Sequence, residues 1–220
     1  GAADVRDALE AAPGVRRVVD LRRVPPNRLE AVLELRKPAV AVQLPDGRYV
    51  EVDEDGVVLA APVAARPVRN GVALRVVSGA PAAAALPGER QPADVRTGID
   101  LCLQLDGYAG GRGATVLRTF DEVDLTNLRG RQDAREPEVV LRAAAPGRGA
   151  PPRTGCVVEW GRVGTAQGEP PFDDKAGRLA EAVRLFGDFR GVARVRVAFG
   201  ELSVLPADGP EGAWLPALAE

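Results

Sequence analysis

Twice in quick succession an Asp-Gly pair separates short apolar runs. Asp46-Gly47 lies between Val40–Leu44 and Arg48–Asp53, and Asp55-Gly56 lies between that second run and Val57–Ala60. A two-residue hairpin turn needs positive φ at its centre, which Gly adopts freely and Asp tolerates, so this spacing predicts a small antiparallel meander. Related punctuation occurs earlier. Val15–Val24 and Leu29–Leu35 are strand-like runs divided by Pro25, Pro26 and Asn27. They read as an antiparallel hairpin in which Leu29, Ala31, Leu33 and Leu35 form one apolar face.

Between and beyond these strands the apolar spacing changes to that of helices. Ala2–Ala12 places Val5, Ala8, Leu9 and Ala12 on one face and stops at Pro13-Gly14. Val72–Val77 reads as a strand, and Ala80–Pro92 as an Ala/Pro/Gly-rich loop. Ala93–Leu105 suits a helix that the glycines from Gly107 to Gly113 terminate. That Gly-rich piece follows a helix and lacks the Lys-Ser/Thr of a phosphate loop, so it is read as structural. Strands follow at Leu117–Leu125, Glu138–Ala143 and Cys156–Trp160, the last two separated by the turn-rich loop Ala144–Arg153. A third helix is expected over Asp173–Phe186, with Ala176, Leu179, Ala180, Val183 and Phe186 as its stripe and two aspartates favouring its start. Val192–Phe199 and Glu201–Leu205 close the chain as two strands joined at Gly200, followed by a Pro/Gly-rich tail in which Trp214 and Leu215 are docking candidates. Strands grouped around a few helices imply an α+β protein with mainly antiparallel sheet.

Composition narrows the chemistry. The 45% apolar content supports a buried core, while a net charge of −2 gives no general attraction to nucleic acid or anionic lipid. Aromatics, at 4%, are too few for base- or sugar-stacking platforms. There is no His, which removes the commonest general base and zinc ligand, and leaves Ser78 and Ser203 without a triad partner. Cys102 and Cys156 have no metal-ligand spacing and are either two buried thiols or one disulfide. Asp53, Glu54 and Asp55 read as turn chemistry rather than a cation site, and Asp121, Glu122 and Asp124 as alternating strand residues. No metal site is expected. Arg16, Arg17, Arg22, Arg23 and Arg28 concentrate in the first hairpin, either as a solvated face or as a patch for a membrane surface or an acidic partner. No stretch approaches the roughly 18 apolar residues of a membrane span. The chain lacks Met and opens on Gly1, as an excised piece of a longer polypeptide would.

The order of these pieces resembles the extracytoplasmic region of the FtsQ/DivIB family of bacterial cell division proteins. Pro13-Gly14-Val15 followed by VRRVVDLRRVPPNRLEAVLELRKPAVAV is similar to the second half of an FtsQ-type POTRA domain, ending in Arg36-Lys37-Pro38. Tyr49–Leu59 is similar to the strand, Val-Asp-x-x-Gly, strand hairpin that opens the family's β domain. Leu74–Gly79 stands where the family has a Leu-Pro-x-x-x-Gly-like element, with Arg75 in place of Pro. Val157–Gly161, Lys175–Phe186 and Val192–Leu205 match the family's late strand, last helix and closing strand pair.

The resemblance implies a partial POTRA-like lobe over residues 1–38, its first strand and helix missing before Ala2. It also implies a β domain over 39–205 and a tail over 206–220. It implies a divisome scaffold with no catalysis and no cofactor, held at the extracytoplasmic (periplasmic) face by one N-terminal membrane helix and binding FtsB/FtsL-like division proteins. The POTRA-like lobe would contact other division proteins. The contact implied is strand addition at the C-terminal edge, on Phe199, Glu201, Leu202, Ser203, Val204 and Leu205. Unpaired N–H and C=O groups at a sheet edge accept such a strand, unless the tail itself caps the edge. Two other readings are a different POTRA-containing membrane-assembly or secretion module, and an enzyme built on a carboxylate dyad.

Overall fold

The computed structural model describes residues 2–112, 119–142, 155–163, 168–187, 189–198, 200–210 and 212–217. The chain is α+β. Helix α1 (Ala2–Glu10) is followed by the predicted hairpin, β1 (Val15–Val24) paired antiparallel with β2 (Arg28–Leu35). Helix α1 packs on β1 and buries Val15 and Val18, and Arg6 donates to the Val18 carbonyl at 2.8 Å. The predicted apolar face of β2 is not buried. Leu29 and Leu35 are 46% and 60% exposed, because α1 covers the β1 side of this two-stranded sheet and no described element covers the other.

Among the described residues, nine further strands build one sheet. They are β3 (Val40–Gln43), β4 (Tyr49–Val52), β7 (Val76–Ser78), β8 (Glu122–Asp124), β9 (Val139–Arg142), β10 (Val157–Gly161), β11 (Val192–Arg196), β12 (Ser203–Pro206) and β13 (Leu215–Pro216). Their spatial order is β13-β12-β11-β10-β9-β8-β7-β3-β4. The β3–β4 hairpin turns at Asp46-Gly47, where Gly47 has φ +84°. The expected third strand of that meander, Val57–Ala60, makes only single bridges, Val58 to Val52 and Val57 to Arg90. The expected strand Val72–Val77 splits: β5 (Val68–Arg69) and β6 (Val72–Ala73) form a separate hairpin, and β7 enters the sheet. Asn70 and Gly71, with φ +52° and +77°, make that turn, as an Asn-Gly pair between short apolar runs does.

The sheet is mixed: most of its pairings are antiparallel, as expected, while β3/β7, β7/β8 and β10/β11 run parallel. Helix α2 (Ala93–Arg112) crosses from β7 to β8, and helix α3 (Phe172–Phe186) crosses from β10 to β11. The topology β-α-β-β therefore occurs twice, as β7-α2-β8-β9 and again as β10-α3-β11-β12, although the sequence shows no repeat. The glycines at Gly107 and beyond do not end α2, which runs on to Arg112. Glycine is a poor helix former, but Tyr108 packs edge-on to Phe172 of α3 (6.1 Å between ring centroids), and tertiary packing overrides propensity there. The predicted loop Ala144–Arg153 and the start of the predicted strand Leu117–Leu125 lie outside the described residues.

Both long helices lie on one face of the sheet. Val42, Val77, Val123, Leu141, Val158 and Val195 alternate inward along their strands and meet Ile99, Leu105, Ala176 and Leu179 in one core. Gly98 lets α2 approach closely, for a Cβ there would stand 2.7 Å from Val77 Cγ1. The stripe predicted for α3 is nearly right: Ala176 and Leu179 are buried, but Ala182 and Lys175 are buried where Ala180, Val183 and Phe186 are only partly so. Cys102 and Cys156 are free, buried thiols, which decides against a disulfide. Burial pushes both thiols up to about 12. Among the described residues no helix is long and apolar enough to cross a membrane.

Candidate functional site

A strand buries every second side chain, so the residues between the core positions point to the other side of the sheet. In β10, Val158 and Trp160 face the helices, which sends Glu159 to the opposite face. Ser78, Glu122, Asp124, Arg142, Arg194 and Arg196 occupy equivalent positions on neighbouring strands, and no described helix covers them. They neutralise one another across strands. Ser78 Oγ donates to Glu122 at 2.7 Å, Arg142 pairs with Asp124 at 2.9 Å, and Glu159 accepts from Arg196 Nε at 2.8 Å and Arg194 Nη1 at 3.2 Å. Glu159 is only 5% exposed, so these two arginines replace its water.

The helix-free face is concave and runs towards the C-terminal edge. A hollow of about 500 Å³ at Gln43, Ser78 and Glu122 adjoins one of about 360 Å³ through Asp124 and Thr126. That second hollow adjoins a third, of about 690 Å³, through Glu159 and Arg194. The third is rimmed by Glu136, Glu138 and Arg162 on one side and by Leu205 and Trp214 on the other. Glu138 pairs with Arg162 at 3.0 Å, and Arg194 stands 3.9 Å from Glu136. The carboxylates gathered here therefore each face a guanidinium.

The floor of this end is pinned from behind. Lys175, on α3, is buried at 2% and bonds Glu169 and the Arg162 carbonyl (2.8 Å) beneath the Trp160 ring, 5.6 Å from its centroid. Desolvation pulls the Lys175 ammonium below its usual range, and the Glu169 carboxylate opposes that pull. Gly161 (φ +83°) gives these groups room, because a Cβ there would lie 2.6 Å from Ala198 Cβ.

At the edge itself the predicted strand is present as β12, and its outer side is occupied. The tail returns as β13, pairing Val204 with Leu215 and Ser203 with Pro216, and the Ala217 N–H donates to the Leu202 carbonyl at 2.9 Å. Glu201–Leu205 is therefore not the bare sheet edge expected from the sequence. Of the residues named for partner binding, Glu201 is exposed, Ser203 and Leu205 are half-buried, and Phe199 lies outside the described residues. Leu202 and Val204 belong to the core, at 9% and 7% exposure, so a charge placed on either would unfold the sheet rather than only block an edge. The opposite edge, β4, is covered by the chain as well, since Tyr49 and Val63 exchange backbone bonds of 2.8 Å and Leu59 donates to the Glu51 carbonyl.

The basic hairpin is largely neutralised. Arg17 pairs with Glu34 at 2.5 Å, Arg22 and Arg28 both pair with Glu30, and Arg23 is exposed. Arg16 reaches the acidic turn of the following segment, pairing with Glu54 at 2.5 Å and Asp55 at 3.2 Å. Arg36 reaches the same turn, bonding the buried Asp53 at 2.5 Å, while Asp53 Oδ1 also accepts from the Val57 N–H at 2.7 Å. The cluster Asp53-Glu54-Asp55 thus fastens the hairpin to the sheet. Among the described residues no group of three or more potential ligands is arranged to hold a metal ion.

Sequence reasoning missed the concave face, the Glu159 clamp and the stacking of Trp214 on Arg196, whose guanidinium carbon lies 3.8 Å from the ring centroid. The Val-Val-Glu-Trp alternation of β10 carried a signal for the first two. No protein-family profile matches this chain, and no curated protein sequence matches it significantly.

Proposed function

We propose that this chain is a non-catalytic scaffold of the FtsQ/DivIB type, working outside the cytoplasmic membrane. It binds an extended segment of an FtsB/FtsL-like division protein by strand addition beside β12. The observation that carries this reading is the end of the sheet. β12 is held on its inner side along its length by β11, from Val192–Pro206 to Arg196–Ser203, while its outer side holds a strand of two residues. The concave face ends at this same edge and would seat the side chains of an added strand. The POTRA-like lobe of residues 1–38 and the β domain of 39–205 follow the order of that family.

Ion pairing also favours a scaffold over a carboxylate-dyad enzyme. General acid–base work needs carboxylates in unlike environments, and here Glu136, Glu138 and Glu159 each face arginine. Attachment through one membrane helix preceding these residues completes the proposal.

The test is capture of an FtsB-type peptide by the full chain, compared with the chain carrying Ser203→Glu and Leu205→Glu. Both positions are half-buried and lie outside the core cluster, so the variant should keep its unfolding transition. Capture should fall at least tenfold, about 1.4 kcal/mol. Unchanged capture would remove β12 as the docking edge.

A further inference from the structure

The two β-α-β-β units differ at their outer edge. In the first, β9 receives the five-residue β10 as an antiparallel neighbour, paired from Val157–Arg142 to Gly161–Val139 with one bulge after Glu159. In the second, the equivalent strand β12 receives only Leu215 and Pro216. The same edge position is therefore filled by a full strand once and by a fragment once.

The fragment is held loosely. Leu215 is 52% exposed and Pro216 is exposed, so neither contributes much apolar burial. Leu202–Ala217 is a hydrogen-bonded pair, which places Ser203–Pro216 at the next, non-hydrogen-bonded position of the ladder. A proline fits there without losing a ladder bond, and its ring also keeps that strand short. Trp214 stacks on Arg196, the arginine that Glu159 holds in place, and Ala217 beyond the proline rests against the core.

We infer that β13 is a placeholder: the tail occupies the docking edge in the free protein and is displaced by a partner strand that shares its chemistry. This rests on the strand-addition reading above. The incoming segment runs antiparallel to β12, with an aromatic residue that stacks on Arg196 followed by an aliphatic one opposite Val204. It gains a longer ladder than β13 has, because β13 pairs with only Ser203 and Val204 of β12.

The test uses three forms of the full chain: the unaltered protein, a released form (W214A with L215G) and a locked form (S203C with P216C, oxidised). The probes are a fluorescent peptide of residues 210–220 and an FtsB-type peptide, each followed by anisotropy. The placeholder predicts that the released form binds both peptides at least tenfold more tightly than the unaltered chain. It also predicts that the locked form binds neither until a reductant is added. Changing Trp to Ala in the 210–220 peptide should cost it at least tenfold. Equal binding by unaltered and released chains would overturn the placeholder while leaving the docking reading in place. A released form that takes the 210–220 peptide but refuses the FtsB-type peptide would overturn that docking reading and keep the placeholder. Concentration-dependent dimers in sedimentation, suppressed in the locked form, would overturn the heterologous partner in favour of tail exchange between copies.

Discussion

The Lys175–Glu169 pair offers a stringent test of how the end of the sheet is built. Both side chains are almost dry, at 2% and 1% exposure. Removing one partner from such a pair leaves a buried charge uncompensated and costs about 3–5 kcal/mol. A domain of this kind holds only about 5–15 kcal/mol in total. Lys175→Met strands the Glu169 carboxylate with the Arg162 N–H (2.8 Å) as its other partner, although the thioether remains suited to the Trp160 ring. Glu169→Gln leaves the ammonium facing two neutral acceptors. The double variant removes both charges, so it should lose about 2 kcal/mol or less and, against singles of about 3 kcal/mol or more, give a coupling of at least about 4 kcal/mol. Urea unfolding followed by tryptophan fluorescence measures all three. A pH scan adds an independent sign. In Glu169→Gln the charge that opposes the desolvation of the Lys175 ammonium is gone, so its pKa falls further and the unfolded chain binds more protons than the folded one below the ordinary lysine value. Stability of that variant should then rise with pH on the approach to the ordinary lysine value of about 10.5, by at most about 1.4 kcal/mol per unit. Single variants that each cost less than about 1 kcal/mol and simply add would refute a dry, coupled pair.

Three further outcomes follow from the packing. Gly98→Ala drives a methyl against Val77 and Leu125, at 2.7 and 2.9 Å, and should cost about 1–3 kcal/mol in chemical denaturation. The two thiols are pushed up to about 12, so they stay protonated in the folded chain above pH 9 while those of the unfolded chain ionise. Their contribution is whole below about pH 9 and falls by about 1.4 kcal/mol per unit per thiol above it, a slope that Cys102→Ala with Cys156→Ala should abolish. Arg36→Gln strands the buried Asp53 and should cost about 3 kcal/mol or more, whereas Arg17→Gln on the exposed hairpin should cost under about 1 kcal/mol. Equal effects at the two arginines, read from thermal melts, would show that the Asp53 clamp is solvated.

Local chemistry is what the sequence expresses most directly. Asp46-Gly47 makes its turn with Gly47 at positive φ because the torsional preference resides in those two residues. The hairpin β1–β2, the start of α3 after Pro171 and the burial of Ala176 and Leu179 also follow from short-range pattern. The absence of His bounded the chemistry without any structure.

What the sequence left open depends on non-local pairing. A strand reads the same whether its neighbour is parallel or antiparallel, so the two helical crossovers and the mixed sheet arise only when the core assembles. Gly107 and the glycines after it look like a helix end until Tyr108 finds Phe172 across the fold. The acidic turn reads as an ordinary turn until Arg16 and Arg36 arrive from the hairpin and make it a fastening point. Composition, turns and helical stripes thus settled which pieces exist and which chemistries are excluded, because those are properties of neighbouring residues. The tertiary structure decided where each edge and face ends up, and that Trp214 and Leu215 lie against β12, because those contacts join residues that only the folded sheet brings together.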